Sequence, residues 1–328
     1  MITADCGLLI GLTSLPGKTS TTEHRKHRGG TAIKGSRTRS DNPDPQSAIV
    51  IRTMGTLEGK VALVSGAGRG IGRAIGMKLA QEGARVVLND LDAEPVHETI
   101  ELIRQSGAEA VACVGSVTEP QFGERFVQCA LDTYEGLDII VNNAGYTWDS
   151  VIQKMTDEQW QSIIDVHLTA PFRILRAAAE FIRTAAKKEA AAGQEIFRKV
   201  VNISSISGLC GNAGQFNYAA AKAGIVGATR ALSKEWGRYK VNVNCVAFGF
   251  IRTRLSESDA RDNATVEIEG RKIKIGVNQD LIATAERTIP LGRLGTAEEG
   301  AGAVYLLCLP ESNYISGETL VCSGGFMM

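Results

Sequence analysis

The stretch VALVSGAGRGIGRAIG (residues 61–76) reads as a strand, a glycine turn and a helix, and it decides the fold. Glycines let the backbone approach a pyrophosphate, and the helix N-terminus stabilises the negative charge. The spacing is Gly66-x3-Gly70-x-Gly72 rather than GxGxxG, and a tight strand-to-helix connection with no ligand would also use glycines. The nucleotide reading gains support from Asp90, which closes the next strand (VVLND) 24 residues after Gly66. A carboxylate there accepts hydrogen bonds from the adenosine ribose and repels a 2′-phosphate. Arg69, inside the turn, is the competing signal, because a guanidinium pairs with that phosphate. Asp90 stands where the ribose should be, which favours NAD over NADP.

Working outward, short apolar runs alternate with amphipathic stretches: VALVSG then IGRAIGMKLAQEG, ARVVLND then AEPVHETIELIRQSG, AEAVACVGSV then PQFGERFVQCALDTYEG. LDIIVNNAG, a long helix from about Asp157, KVVNISS, a helix carrying Tyr218, and KVNVNCVAFG continue the series. Strands alternating with helices imply βαβ units, wound by right-handed crossovers into a parallel sheet covered on both faces. The fold class expected is α/β, a doubly wound Rossmann-type sheet, forming one domain over 54–328 without internal repeats. Two stretches read as insertions. The first, 183–199, is Ala- and charge-rich and extends a helix. The second, 256–287, contains TVEIEGRKIKIG, where Val266, Ile268, Ile273 and Ile275 alternate with charged residues. That is a hairpin signature around Glu269–Lys272, on the side where such sheets bind ligands.

Lys and Arg balance Asp and Glu at 36 each, which gives no support for a nucleic-acid partner. The seven cysteines show no Cys-x-x-Cys and read as reduced apolar fillers of a cytoplasmic protein. With four histidines, two of them in the N-terminal segment, no histidine-based metal site is expected. The apolar run Cys6–Ile10 is too short to span a bilayer. Residues 1–53 carry eight Lys/Arg against four Asp/Glu and lack apolar periodicity, so they read as a disordered tail or as sequence ahead of a start at Met54.

Tyr218 and Lys222 stand four apart on the Ala-rich helix, so a phenol and an ammonium share one volume. A cation that close lowers a phenol's pKa towards the working range of an acid or base. Only one of the six tyrosines has this lysine, and it follows a strand ending in the pair Ser204–Ser205.

Gly66-x3-Gly70-x-Gly72, NNAG (142–145), Ser205 thirteen residues before Tyr218, Tyr218-x3-Lys222 and GETLVCSGG (317–325) together resemble the short-chain dehydrogenase/reductases, over about Leu57 to Gly325. GQFNYAAAKAGIVG and IPLGRLGTAEE are most similar to the 3-oxoacyl carrier-protein reductase type. The resemblance implies seven parallel strands, a nicotinamide cofactor, a homotetramer, and an alcohol/ketone or acyl-thioester substrate. By the same resemblance Tyr218 is the acid/base, Lys222 binds the nicotinamide ribose, and Ser205 holds the substrate oxygen. Ser204 is the alternative serine, less well spaced. Gly66, Arg69, Gly70, Ile71 and Gly72 take the diphosphate side, Ser116 and Val117 the adenine side, and Asn143, Ala144 and Gly145 the ribose side. Gly249, Ile251 and Thr253 follow the sixth strand and meet the carboxamide. Three departures stand out. His167 replaces the asparagine that holds a proton-relay water, and an imidazole can both donate and accept. Phe248–Gly249 replaces Pro-Gly, which would set an apolar wall near the nicotinamide. Ser116 replaces an acidic or amide residue at the adenine.

The reading that follows is an NAD(P)-dependent oxidoreductase interconverting a secondary alcohol and a ketone. The alternative is a dinucleotide-sensing protein on the same fold, which fold alone does not exclude. Intact Ser, Tyr and Lys argue against the sensor.

Overall fold

The computed structural model describes residues 55–252, 265–268, 270–274 and 279–326. The basic segment 1–53 and Thr253 lie outside the described residues. The alternation of the first half becomes β1 (Val61–Val64), α1 (Gly70–Gln81), β2 (Arg85–Leu88), α2 (Ala93–Gln105), β3 (Ala110–Ala112), α3 (Phe122–Tyr134) and β4 (Ile139–Asn142). Then come α4 (Asp157–Ile164), a π-helical turn (Asp165–Thr169), α5 (Ala170–Ala191), β5 (Arg198–Ser205), α6 (Ile206–Cys210), α7 (Phe216–Trp236) and β6 (Val241–Phe248). The hairpin β7 (Thr265–Ile268) and β8 (Arg271–Lys274) follows, then α8 (Gln279–Thr288), α9 (Ala297–Leu306) and β9 (Thr319–Cys322).

Seven strands pair in the order β3-β2-β1-β4-β5-β6-β9, all parallel, with helices on both faces: a Rossmann-type α/β sheet. The strand order reverses between β1 and β4. The loops leaving these two neighbours diverge, and the crevice between them at the carboxyl edge is where such sheets bind ligands.

The period-two rule sorts the strand residues between two cores. On β1, Ala62 and Val64 join Ile75, Leu79, Val96, Ile100 and Val304 on one face. Val61 and Leu63 join Phe122, Phe126, Ile174, Ile182 and Trp236 on the other. Burying a side chain as large as Phe122 or Phe126 stabilises the fold by about 1.5–3 kcal/mol. The Ala-rich run beyond Arg183 carries α5 to Ala191. Glu189, near its end, receives Arg198 Nη1 at 2.8 Å and so ties the helix to the start of β5.

The hairpin pairs Thr265 with Lys274 and Ile268 with Arg271 across Gly270, so Arg271 and Lys272 belong to a strand rather than to the turn. Gly270 has φ +77°, a conformation that favours glycine in a tight hairpin turn. Arg271 Nε lies 2.8 Å from Glu158 Oε1, which joins the hairpin to α4.

Candidate active site

The glycine turn after β1 faces the loop after β4. Gly66 (φ +63°) lies so close to this loop that a Cβ would meet Ala144 Cα at 2.7 Å. A Cβ at Gly72 would strike the carbonyl of Gly66, so α1 can begin this close to the turn only with glycine there. Asn143 fastens the two loops: its Nδ2 donates to the carbonyls of Ser65 (2.9 Å) and Gly66 (3.0 Å). The backbone N–H groups of Asn143 and Ala144 both donate to Ser65 Oγ. Arg69 caps α1 without a side-chain cap bond, and the first turn carries no acidic residue. The first N–H groups of a helix have no intrahelical partner, so this end suits the two negative charges of a diphosphate.

Asp90, at the end of β2, accepts from Gly68 N–H at 2.8 Å and from Asp92 N–H at 3.2 Å, which holds its carboxylate against the turn. Arg69 Nη1 pairs with Asp92 Oδ2 at 2.7 Å. The guanidinium that could meet a 2′-phosphate is therefore drawn to a second carboxylate. Val117 is buried, while the Ser116 hydroxyl lies 2.8 Å from Thr118 Oγ1. A glycine turn that leads into a helix N-terminus, an anchored acid at the end of β2 and a close-packed second loop fit a dinucleotide.

Three elements, β5, α7 and the π-helical turn, bring Ser205, Tyr218, Lys222 and His167 to the same edge. Ser204 is committed elsewhere: its hydroxyl donates to Lys222 O at 2.7 Å. Ser205, the last residue of β5, stands beside Tyr218 and favours its ionised form. Lys222 lies 4 % exposed, its Nζ donating to Ile203 O at 2.7 Å and standing 5.6 Å from the Tyr218 ring centroid. The i,i+4 spacing thus places the ammonium beside the phenol ring rather than on its hydroxyl. The expected lowering of the phenol pKa is not what results. Removal from water pushes Tyr218 up to about 12, Ser205 pulls it back, and the Asp149 carboxylate pushes it further up. Burial also lowers Lys222 to about 8, Cys245 opposing. For both groups removal from water is the largest influence.

His167 occupies the π-helical turn, a departure from α geometry that recurs at functional sites. Its ring stands edge-on to Tyr218, centroids 5.1 Å apart. Its Nε2 lies 2.7 Å from Tyr146 O. A carbonyl only accepts, so Nε2 carries the proton and Nδ1 is the bare acceptor. Nδ1 is buried and has no partner among the described residues. Burial first, then the Lys222 charge, push the His167 pKa well below its ordinary value, against the Tyr146 bond, so the ring is neutral. It fits there only because residue 145 is glycine; a Cβ would run into the imidazole.

Phe248 is 5 % exposed within the first core, against Gly300 of α9, because it ends β6 on the side facing α1 and α9. Gly249 N–H donates to Cys322 O at 2.9 Å, and Ile251 bridges to Gly295. Sequence reading passed over Asp149, Ser207, Gln215 and Asn217. Asn217 Nδ2 donates to the carbonyls of Trp148 (3.2 Å) and Gln159 (3.0 Å), and the N–H of Tyr218 donates to its Oδ1. Gln215 and Asn217 flank Phe216 just ahead of the tyrosine, the one local signal that could have found them.

A short chain dehydrogenase family model matches residues 60–264. The chain belongs to the short-chain dehydrogenase/reductase family, and it is an oxidoreductase that uses a nicotinamide cofactor to interconvert CH–OH groups and ketones. Among its relatives is a 3-oxoacyl-[acyl-carrier-protein] reductase of Vibrio cholerae, 36% identical over 272 residues, 83% of this chain and 99% of that protein. The like-named proteins of Synechocystis (34%, 84% of this chain and 100% of that protein) and Escherichia coli (36%, 83% and 98%) match similarly.

Proposed function

We propose that this chain interconverts 3-oxoacyl and 3-hydroxyacyl thioesters, with NAD as the cofactor and Ser205, Tyr218 and Lys222 as the reacting residues. The observation that carries the reading is the meeting of a hydroxyl, a protonated phenol and a buried ammonium at the same sheet edge as the glycine turn. When bound, the nicotinamide supplies the hydride. The protein's part is the proton and the orientation. Tyr218, kept protonated by burial, donates its proton to the carbonyl oxygen, and Ser205 donates a hydrogen bond to the same oxygen. The positive charge of Lys222 favours the phenolate that remains. His167, neutral and with Nδ1 as an acceptor, serves the proton path behind Lys222.

Gly66, Arg69, Gly70, Ile71 and Gly72 would hold the diphosphate, Asp90 the adenosine ribose, and Ser116 with Val117 the adenine. Asn143, Ala144, Gly145 and Lys222 would flank the nicotinamide ribose, with Gly249, Ile251 and Thr253 at the carboxamide. NAD is favoured because Asp90 is anchored by two backbone donors and Arg69 is already paired with Asp92. The thioester class comes from what the relatives are named for. The β7–β8 hairpin acts as a lid over the acyl chain, tethered through Arg271 and Glu158. Exposed Ile152 and Phe216 line a cavity of about 610 Å³ between the loop after β4, α6 and the start of α7, a surface suited to subunit contact in a homotetramer. No described helix is long and apolar enough to cross a membrane, in keeping with the cytoplasmic placement we propose.

The test is NADH and NADPH oxidation by acetoacetyl thioesters beside ketones that lack the thioester. Faster turnover with the thioesters and NADH is expected. Turnover confined to non-thioester ketones would overturn the substrate class, and a clear preference for NADPH would overturn the cofactor assignment.

A further inference from the structure

A chain of side chains leads away from Ser205. Ser205 Oγ accepts the backbone N–H of Ser207 at 3.2 Å. The Ser207 hydroxyl donates to Gln215 Oε1 at 3.0 Å, an oxygen that also accepts from Asn212 Nδ2 at 3.0 Å. Gln215 Nε2 donates to Asp149 Oδ2 at 2.9 Å. The direction of each bond is dictated by Asp149. A carboxylate only accepts, so Gln215 must turn its NH2 towards it and its carbonyl towards Ser207 and Asn212. The Ser207 hydroxyl then has to donate. The loop carrying Asp149 is held along its length: Tyr146 O by His167, Trp148 O by Asn217, and Ser150 N–H by Gly214 O at 2.8 Å.

We infer that Asp149 is a positioning residue for hydride transfer: through Gln215 and Ser207 it orients Ser205, leaving the one Ser205 hydroxyl proton for the substrate oxygen. This rests on the roles given above to Ser205 and Tyr218. Asp149 also acts by charge. The titratable groups facing Tyr218 are Asp149 from the loop after β4, His167 from the π-helical turn and Lys222 from α7, with Cys245 of β6 behind Lys222. His167 is neutral, so Asp149 is the anion of this set and opposes the phenolate.

Three variants of the full chain separate geometry from charge. Asp149→Asn keeps an acceptor for Gln215 but removes the charge, Asp149→Ala removes both, and Gln215→Met breaks the chain while leaving the carboxylate. With NADH and an acetoacetyl thioester, Asp149→Ala and Gln215→Met should each lower kcat roughly tenfold, with NADH affinity and Tm unchanged. Asp149→Asn should stay within about twofold at neutral pH. Its basic limb of kcat against pH should move to lower pH, because the phenol then ionises more readily. Unchanged kcat in the Ala and Met variants, or an unmoved limb in the Asn variant, overturns the inference. So does a loss of kcat matched by lost NADH affinity or Tm, which marks a merely structural residue. Tyr218→Phe separates the two levels. If it abolishes turnover while the Asp149 and Gln215 variants behave as wild type, only the role of Asp149 falls. If it retains turnover, the reading of the site itself falls.

Discussion

Two lysines serve opposite ends of β5, Lys199 from within the strand and Lys222 reaching it from α7, each 4 % exposed and each brought down to about 8 by burial. Lys199, at the start of the strand, donates to Asn242 Oδ1 (2.9 Å), Ser312 Oγ (3.0 Å) and Asn313 Oδ1 (2.7 Å). An ammonium has three protons, so this one is saturated. Lys222, near the end of the strand, has Ile203 O as its one hydrogen-bond partner among the described residues and stands beside the Tyr218 ring. Burial alone therefore does not separate structure from chemistry here. The difference lies in what is left over: Lys199 has no spare donor, and Lys222 has spare donors next to a phenol and a neutral imidazole.

The largest effect should come from breaking the second lysine's site. Lys222→Met or Tyr218→Phe should lower turnover by roughly 10²–10⁴-fold, the usual contribution of general acid–base catalysis, with the fold intact by circular dichroism. Lys199→Met should leave kcat near wild type. It strands three oxygen acceptors and should cost about 1–3 kcal/mol of stability, read by urea denaturation. If instead Lys199→Met removes activity without loss of stability, the comparison breaks.

The pH dependence sharpens the same contrast. Lys199 in the folded state lies at about 8, below its ordinary value of 10.5. Below pH 8 both folded and unfolded chains hold the proton and the burial cost is fully present. Between about 8 and 10.5 the unfolded chain alone holds it, so stability should rise with pH through this window. Subtracting the Lys199→Met profile isolates that slope; a flat difference would mean that the three oxygens keep the ammonium charged. The smallest effect is at the far side of the cofactor crevice. Asp90→Ala should raise the NADPH-to-NADH ratio of kcat/KM roughly fivefold, about 1 kcal/mol for one removed repulsion near water.

What could be read ahead of the structure was local. The sheet followed from the alternation of short apolar runs with amphipathic helices, because covered parallel strands permit few other arrangements. Tyr218 and Lys222 followed from the helical repeat, and the glycine turn from the spacing of Gly66, Gly70 and Gly72 between an apolar run and a helix. The hairpin was visible in the alternation around Gly270, though its register placed Arg271 and Lys272 in a strand.

The sequence by itself thus determined the fold class, the family and which side chains gather at the carboxyl edge, since each of these depends on spacing along a strand or a helix. The tertiary structure alone decided how those groups behave. It set Tyr218 high rather than low, because desolvation depends on everything packed around the phenol. It left His167 neutral with Nδ1 bare, sent Phe248 into the core, and committed Ser204 to a helix carbonyl. It also joined Asp149 to Ser205 across 56 residues of chain, a contact with no periodic signature, because it exists only once β4, β5 and α7 have packed.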